Sequence, residues 1–100
     1  MRRVKAVRIT RRALEEAKAA RAWYAERDRD VAKRFEAAID ATVDRVARLP
    51  GSGSEWPALP ELRRALVEGF PYWVVYEDRS EIVVVAFAHH KRRPLYWLVP

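Results

Sequence analysis

Seven consecutive apolar residues, Ile82 to Ala88, constrain the fold of this chain more than any other feature. A bounded run of that length, apolar at every position, predicts a strand over 81–88 that is covered on both faces, hence the centre of a sheet. The run ends in His89-His90-Lys91-Arg92-Arg93-Pro94-Leu95-Tyr96-Trp97. A buried strand therefore delivers two histidines, three cations and two aromatics to its carboxyl end. These groups can hold a phosphate backbone, move a proton or stack on a base, and a core strand does not need them.

Two strands precede it. Residues 62–68 alternate, with Arg63, Ala65 and Val67 on one face and Arg64, Leu66 and Glu68 on the other. Residues 72–77 alternate aromatics and valines, and the polar Glu77-Asp78-Arg79-Ser80 turn joins them to 81–88. A further strand is expected over residues 3–9. Lys5 falls on the face of Val7 and Ile9, so this strand sits at an edge or carries a bend or bulge.

Between the first strand and the meander lie two helical patterns. Thr10 is the expected N-cap of the first. Its apolar face is Ala13, Ala17, Ala20 and Tyr24, widened by Leu14 and Trp23, and the alanines suit close approach of a second helix. Asp28 or Asp30 caps that second helix. Its apolar face runs Val31, Phe35, Ala38, Thr42, Val46, Leu49, flanked by Ile39 and Val43, and Pro50-Gly51 ends it. The short link allows an antiparallel hairpin. Residues 50–60 read as a loop, pinned to the core by Trp56 or offering it to a partner. The predicted fold is α+β, in the order β-α-α-β-β-β, with the first strand on one edge of an antiparallel meander. Residues 1–100 form one domain.

Composition sets the limits. Half the residues are apolar and 34% are charged, a globular balance. No apolar run reaches the length of a membrane span, and no secretory leader is visible at the amino end. Cysteine is absent, which excludes disulfides and thiolate metal sites and makes the cytoplasm the expected compartment. The net charge is +6, and Arg2, Arg3, Lys5, Arg8, Arg11 and Arg12 account for all of it. Such asymmetry points to an anionic partner or to a solubilising end.

The whole arrangement resembles the RelE/ParE superfamily, the toxins of type II toxin–antitoxin modules. The resemblance rests on Arg63, the Phe70-Pro71-Tyr72 turn with Tyr76 four residues on, and His90, Arg93-Pro94 and Trp97 after the last strand. It implies a cognate antitoxin, often with an acidic tail that folds around the toxin, and a toxin–antitoxin hetero-oligomer. It also implies one of two targets: DNA gyrase for ParE-like members, or mRNA in the ribosome for RelE-like endoribonucleases.

Cleavage of the RelE type needs a proton acceptor, a proton donor and cations on the scissile phosphate. RelE-like enzymes place two lysines before the turn, an arginine just after the turn tyrosine, and an arginine and a tyrosine past the last strand. Mapped on this chain, those positions hold Arg63 and Arg64, Trp73, His90 and Tyr96. Adjacent Arg63 and Arg64 face opposite ways, so one at most aims at a phosphate, and Trp73 supplies no cation. His90, Tyr96 and Arg63 are the catalytic candidates if the chain is a nuclease. Arg64, Lys91, Arg92 and Arg93 are candidates for binding a target or nucleic acid. Tyr72, Trp73 and Tyr76 read as core in preference to base-stacking groups.

His89 and His90, neighbours on a strand, are expected on opposite faces, unable to line one site together. No acid or cysteine stands at ligand spacing from them, so no metal and no cofactor is expected. The leading expectation is a ParE-like protein-binding inhibitor of gyrase. The alternatives are a RelE-like mRNA interferase and an inactive antitoxin-binding relative.

Overall fold

In a computed structural model, which describes residues 4–91, two helices pack on one face of a five-stranded sheet. In chain order the elements are β1 (Val7–Ile9), α1 (Arg11–Arg27), α2 (Arg29–Arg48), a 3-10 turn (Pro50–Ser52), β2 (Ser54–Trp56), β3 (Leu59–Leu66), β4 (Tyr72–Asp78) and β5 (Ile82–His89). The sheet order is β1-β5-β4-β3-β2, with β1 parallel to β5 and every other pair antiparallel. The apolar run thus lies inside the sheet, as its two-sided hydrophobicity requires. Arg92, Arg93, Tyr96 and Trp97 lie outside the described residues.

Thr10 turns β1 into α1. Its side-chain oxygen accepts from Ala13 N at 3.2 Å and donates to Val85 O at 3.3 Å, while its backbone N donates to Val84 O. One residue, Asp28, makes the hairpin link: its N–H closes α1 on Tyr24 O, and its carboxylate accepts from Asp30 N and Val31 N to start α2. Such a cap satisfies amides that helix geometry leaves open. Ala13 and Ala20, with Ala17 and Tyr24, turn α1 inward against Phe35, Ile39 and Val46 of α2. Thr42 is buried in the same stripe, and its hydroxyl donates to Ala38 O at 2.7 Å.

Several expectations change. Leu14 and Trp23 do not widen the buried face of α1; they are 45% and 53% exposed, because Ala13 and Ala20 already fill the line of contact. Leu49 caps the end of α2 and is exposed. The first strand is shorter than 3–9. Lys5 leaves the ladder, its N–H donating to Ala47 O and its ammonium to Asp78 at 2.5 Å and Arg79 O at 2.7 Å. Residues 50–60 are not wholly loop, since β2 within them adds a fifth strand on the edge beside β3.

A bulge in β5 decides what its end presents. Val75 pairs with Ala86 and the next residue, Tyr76, with Val84, so Val85 is the extra residue. The bulge shifts the alternation by one. Ile82, Val84 and Phe87 therefore share the helix-side core, while Ala86 and Ala88 join Leu62 and Val75 on the other face.

Candidate functional site

Among the described residues, three places on this frame gather polar and aromatic groups singled out by the sequence. The first is the carboxyl end of β5. The Phe70-Pro71-Tyr72 turn is fixed from below, with Phe70 against Tyr24 and Phe35 at centroid distances of 5.3 and 5.1 Å. His90 N donates to Pro71 O at 2.9 Å, which seats the end of β5 beside that turn. The His89 ring lies edge-on to Tyr72 at 5.1 Å, and its Nδ1 accepts from Lys91 N at 3.1 Å.

β5 ends at His89, so alternation does not reach His90, and the two imidazoles stand with centroids 5.3 Å apart. The expectation that they face opposite ways fails for that reason. His90 and Lys91 are exposed.

The second place is a 620 Å³ groove between α1 and this end of the sheet, lined among others by Glu16, Trp23, Tyr24, Tyr72, Phe87 and His89. β1 pairs only with residues 82–84 of β5, so among the described residues no strand covers the later edge of β5. Glu16 reaches down from α1 and accepts from Phe87 N at 3.2 Å. Sequence reasoning missed Glu16 and His89 as groove residues. Glu16 offered a signal, a carboxylate three residues after Ala13 and four before Ala20, on an otherwise apolar stripe. Trp23 stays exposed at the rim, with the Arg27 guanidinium 3.7 Å from its ring centroid.

The third place is the pair Arg63 and Arg64 on β3, which alternation sends to opposite faces. Arg63 is committed to the fold. Its Nη1 donates to Gly53 O at 2.8 Å and Gly51 O at 3.4 Å, and its Nη2 pairs with Glu55 at 2.9 Å. Tyr76, opposite Arg63 in register, holds the same segment: its hydroxyl accepts from Gly53 N at 3.0 Å and donates to Pro50 O at 2.7 Å. A side chain at Gly53 would meet that hydroxyl at 2.3 Å, so only glycine fits. Burial pushes the Tyr76 phenol above its ordinary pKa, with opposing contributions from the Gly53 bond and Arg63.

Arg64 lies on the helix-free face between two indoles, 4.6 Å from the Trp73 ring centroid and 5.0 Å from that of Trp56. Its Nε is buried without a hydrogen-bond partner among the described residues, a condition that costs about 1–3 kcal/mol for a buried donor.

The structure does not bring the two described catalytic candidates, Arg63 and His90, together. Arg63 pairs with Tyr76 and His89 with Tyr72, four residues apart on β4, which is roughly 13 Å along the strand. Tyr96, Arg92 and Arg93 lie outside the described residues. Trp73, at the position where the resemblance expects a cation, is packed against Arg64. No three His, Asp or Glu side chains among the described residues converge as metal ligands.

A family model described as ParE toxin of type II toxin-antitoxin system, parDE, matches residues 7–94. The chain belongs to that toxin family. A solved chain from the chromosomal ParDE TA system of P. aeruginosa is similar in fold, with a TM-score of 0.73 at 18% identity, covering 86% of this chain and 96% of that one. No curated protein sequence matches. The ParE assignment agrees with the missing post-turn cation and with the separation of His90 from Arg63. Among the described residues no helix of this toxin is long and apolar enough to cross a membrane.

Proposed function

We propose that this ParE-family toxin arrests growth by binding a protein, DNA gyrase, in the cytoplasm, and that a cognate antitoxin silences it. The observation that carries this reading is the state of the would-be phosphate clamp. Arg63 is engaged by Gly51, Gly53 and Glu55, Arg64 is wedged between Trp56 and Trp73, and His90 stands at the other end of β4. A nuclease needs its cations and its acid–base pair around one phosphate.

Antitoxin binding is supported by the α1 groove. Trp23 exposes apolar surface at its rim, and Arg11 and Arg12 are exposed at the start of the same helix. An acidic, partly apolar antitoxin tail suits that mixture, and it would contact residues 1–26 and form a hetero-oligomer.

One feature favours the RelE-like alternative, the close His89–His90 pair beside Lys91. Supercoiling assays with purified gyrase test the leading reading. Inhibition by the toxin, relieved by the small acidic protein encoded beside it, is the expected result. Undisturbed supercoiling at toxin excess, together with ribosome-dependent cutting of mRNA, would replace it with the alternative.

A further inference from the structure

We infer that Arg64, held between Trp56 and Trp73, is the anchor point for a carboxylate of the toxin's protein target. This rests on the reading of the chain as a protein-binding toxin and names the chemistry by which one of its surfaces recognises the partner.

The half-buried cations Lys5 and Arg63 have oxygen partners: Lys5 has Asp78, and Arg63 has Glu55 and two carbonyls. Arg64 has indoles instead. Its guanidinium lies over the Trp73 and Trp56 rings, and no carboxylate among the described residues is in ion-pair contact with it. Stacking on aromatic faces fixes the plane of a guanidinium while leaving its in-plane donors available. Nε is buried, so the terminal Nη1–Nη2 edge is the one a ligand can reach. A planar, oriented pair of donors matches the two oxygens of a carboxylate.

The surroundings select the ligand. Near Arg64 the accessible part of the helix-free face is apolar, formed by Leu59 and the two tryptophans packed over buried Leu62 and Val75, and Leu66, two residues along the strand, is 48% exposed. Nucleic-acid surfaces use several cations to follow successive phosphates. An arginine that among the described residues stands alone, framed by tryptophans and aliphatic side chains, is instead the composition of a protein–protein hot spot. The occupant is therefore an aspartate or glutamate flanked by apolar side chains on a protein.

The full-length toxin labelled with fluorotryptophan provides the test, its Trp56 and Trp73 resonances assigned by Trp→Phe variants. Three probes are titrated: a peptide alternating glutamate and leucine, its glutamine counterpart, and an oligothymidylate. The expected result is a saturable shift of the Trp56 and Trp73 signals with the glutamate peptide. Binding of the glutamine peptide should be weaker by about tenfold or more, the difference between charge-assisted and neutral hydrogen bonds.

Arg64→Lys, which keeps the charge but loses the planar fork, should weaken glutamate binding at those two signals while the Trp23 signal keeps its unliganded position. Equal binding of both peptides, preference for the oligothymidylate, or an unchanged affinity in Arg64→Lys would overturn the inference. Growth arrest is scored separately. A toxin that arrests growth without carboxylate binding at Arg64 loses this site alone, whereas one that binds the peptide without arresting growth loses the toxin reading.

Discussion

Arg63 and Arg64 are neighbours on one strand, yet the two faces of the sheet give them opposite tasks. On the helix side, Arg63 and Tyr76 tie Pro50, Gly51 and Gly53 to the sheet through backbone carbonyls and an amide. On the other side, Arg64 contacts aromatic rings, and its Nε has no oxygen partner among the described residues. The helix side is built for stability, with polar groups satisfied and Phe35, Val67, Val74 and Tyr76 fully buried. The outer face carries a cation whose partner the described fold does not supply. A polar group without a structural partner is a better guide to function than a charged one with several.

The contrast can be broken by substitution. The largest effect is expected at the centre of the helix-side core. Phe35 packs on Tyr24, Phe70 and Tyr72, and Phe35→Ala should cost about 3–5 kcal/mol in urea denaturation. A loss below about 1 kcal/mol would mean that the helical hairpin is not the main support of the sheet.

Tyr76→Phe comes next. It leaves the buried Gly53 amide and the Pro50 carbonyl without their partner, at about 1–3 kcal/mol. The same residue predicts a pH dependence. Burial raises its folded pKa above the ordinary value, so the neutral phenol stabilises the fold fully below the unfolded pKa of about 10. That contribution is lost as pH rises through the folded pKa. Tyr24 shifts in the same direction by burial. Alkaline unfolding followed by circular dichroism should start later and be less steep in Tyr76→Phe than in the wild type, measured relative to each protein's stability at neutral pH. An identical profile would remove Tyr76 from the account.

The smallest effects separate the two arginines. Arg63→Met removes bonds to two carbonyls and should cost about 1 kcal/mol. Arg64→Met removes a buried donor left without a hydrogen bond among the described residues, a gain of about 1–3 kcal/mol, and loses indole stacking of about 0.5–2 kcal/mol, so stability should hold or rise. Equal losses at both positions would erase the difference between the faces.

Much of the fold was legible in the sequence. The unbroken apolar run placed β5 inside the sheet, Thr10 advertised its cap, the second cap was narrowed to Asp28 or Asp30, and alternation on β3 separated Arg63 from Arg64. The bulge at Val85 was hidden because every residue from Ile82 to Ala88 is apolar, and a pattern without polar positions cannot report its own phase. That bulge and the end of the strand at His89 decide where the histidines stand, so their relation was misjudged. The β2 strand lay within a segment whose Pro, Gly and Ser content reads as loop. With β2 concealed, so was the meeting of Trp56 with Arg64, which depends on a hairpin between Trp56 and Leu59. Leu14 and Trp23 are apolar on a helix flank, and periodicity alone does not say where a narrow alanine contact stops.

Inhibition by protein binding, and not by RNA cleavage, is tested most directly by primer extension on a reporter mRNA during growth arrest, with the wild-type toxin and a His90→Ala, Tyr96→Phe double variant. The account predicts arrest by both proteins and no codon-phased cuts with either. Cuts that appear with the wild type and vanish in the double variant would contradict it and make His90 and Tyr96 an acid–base pair.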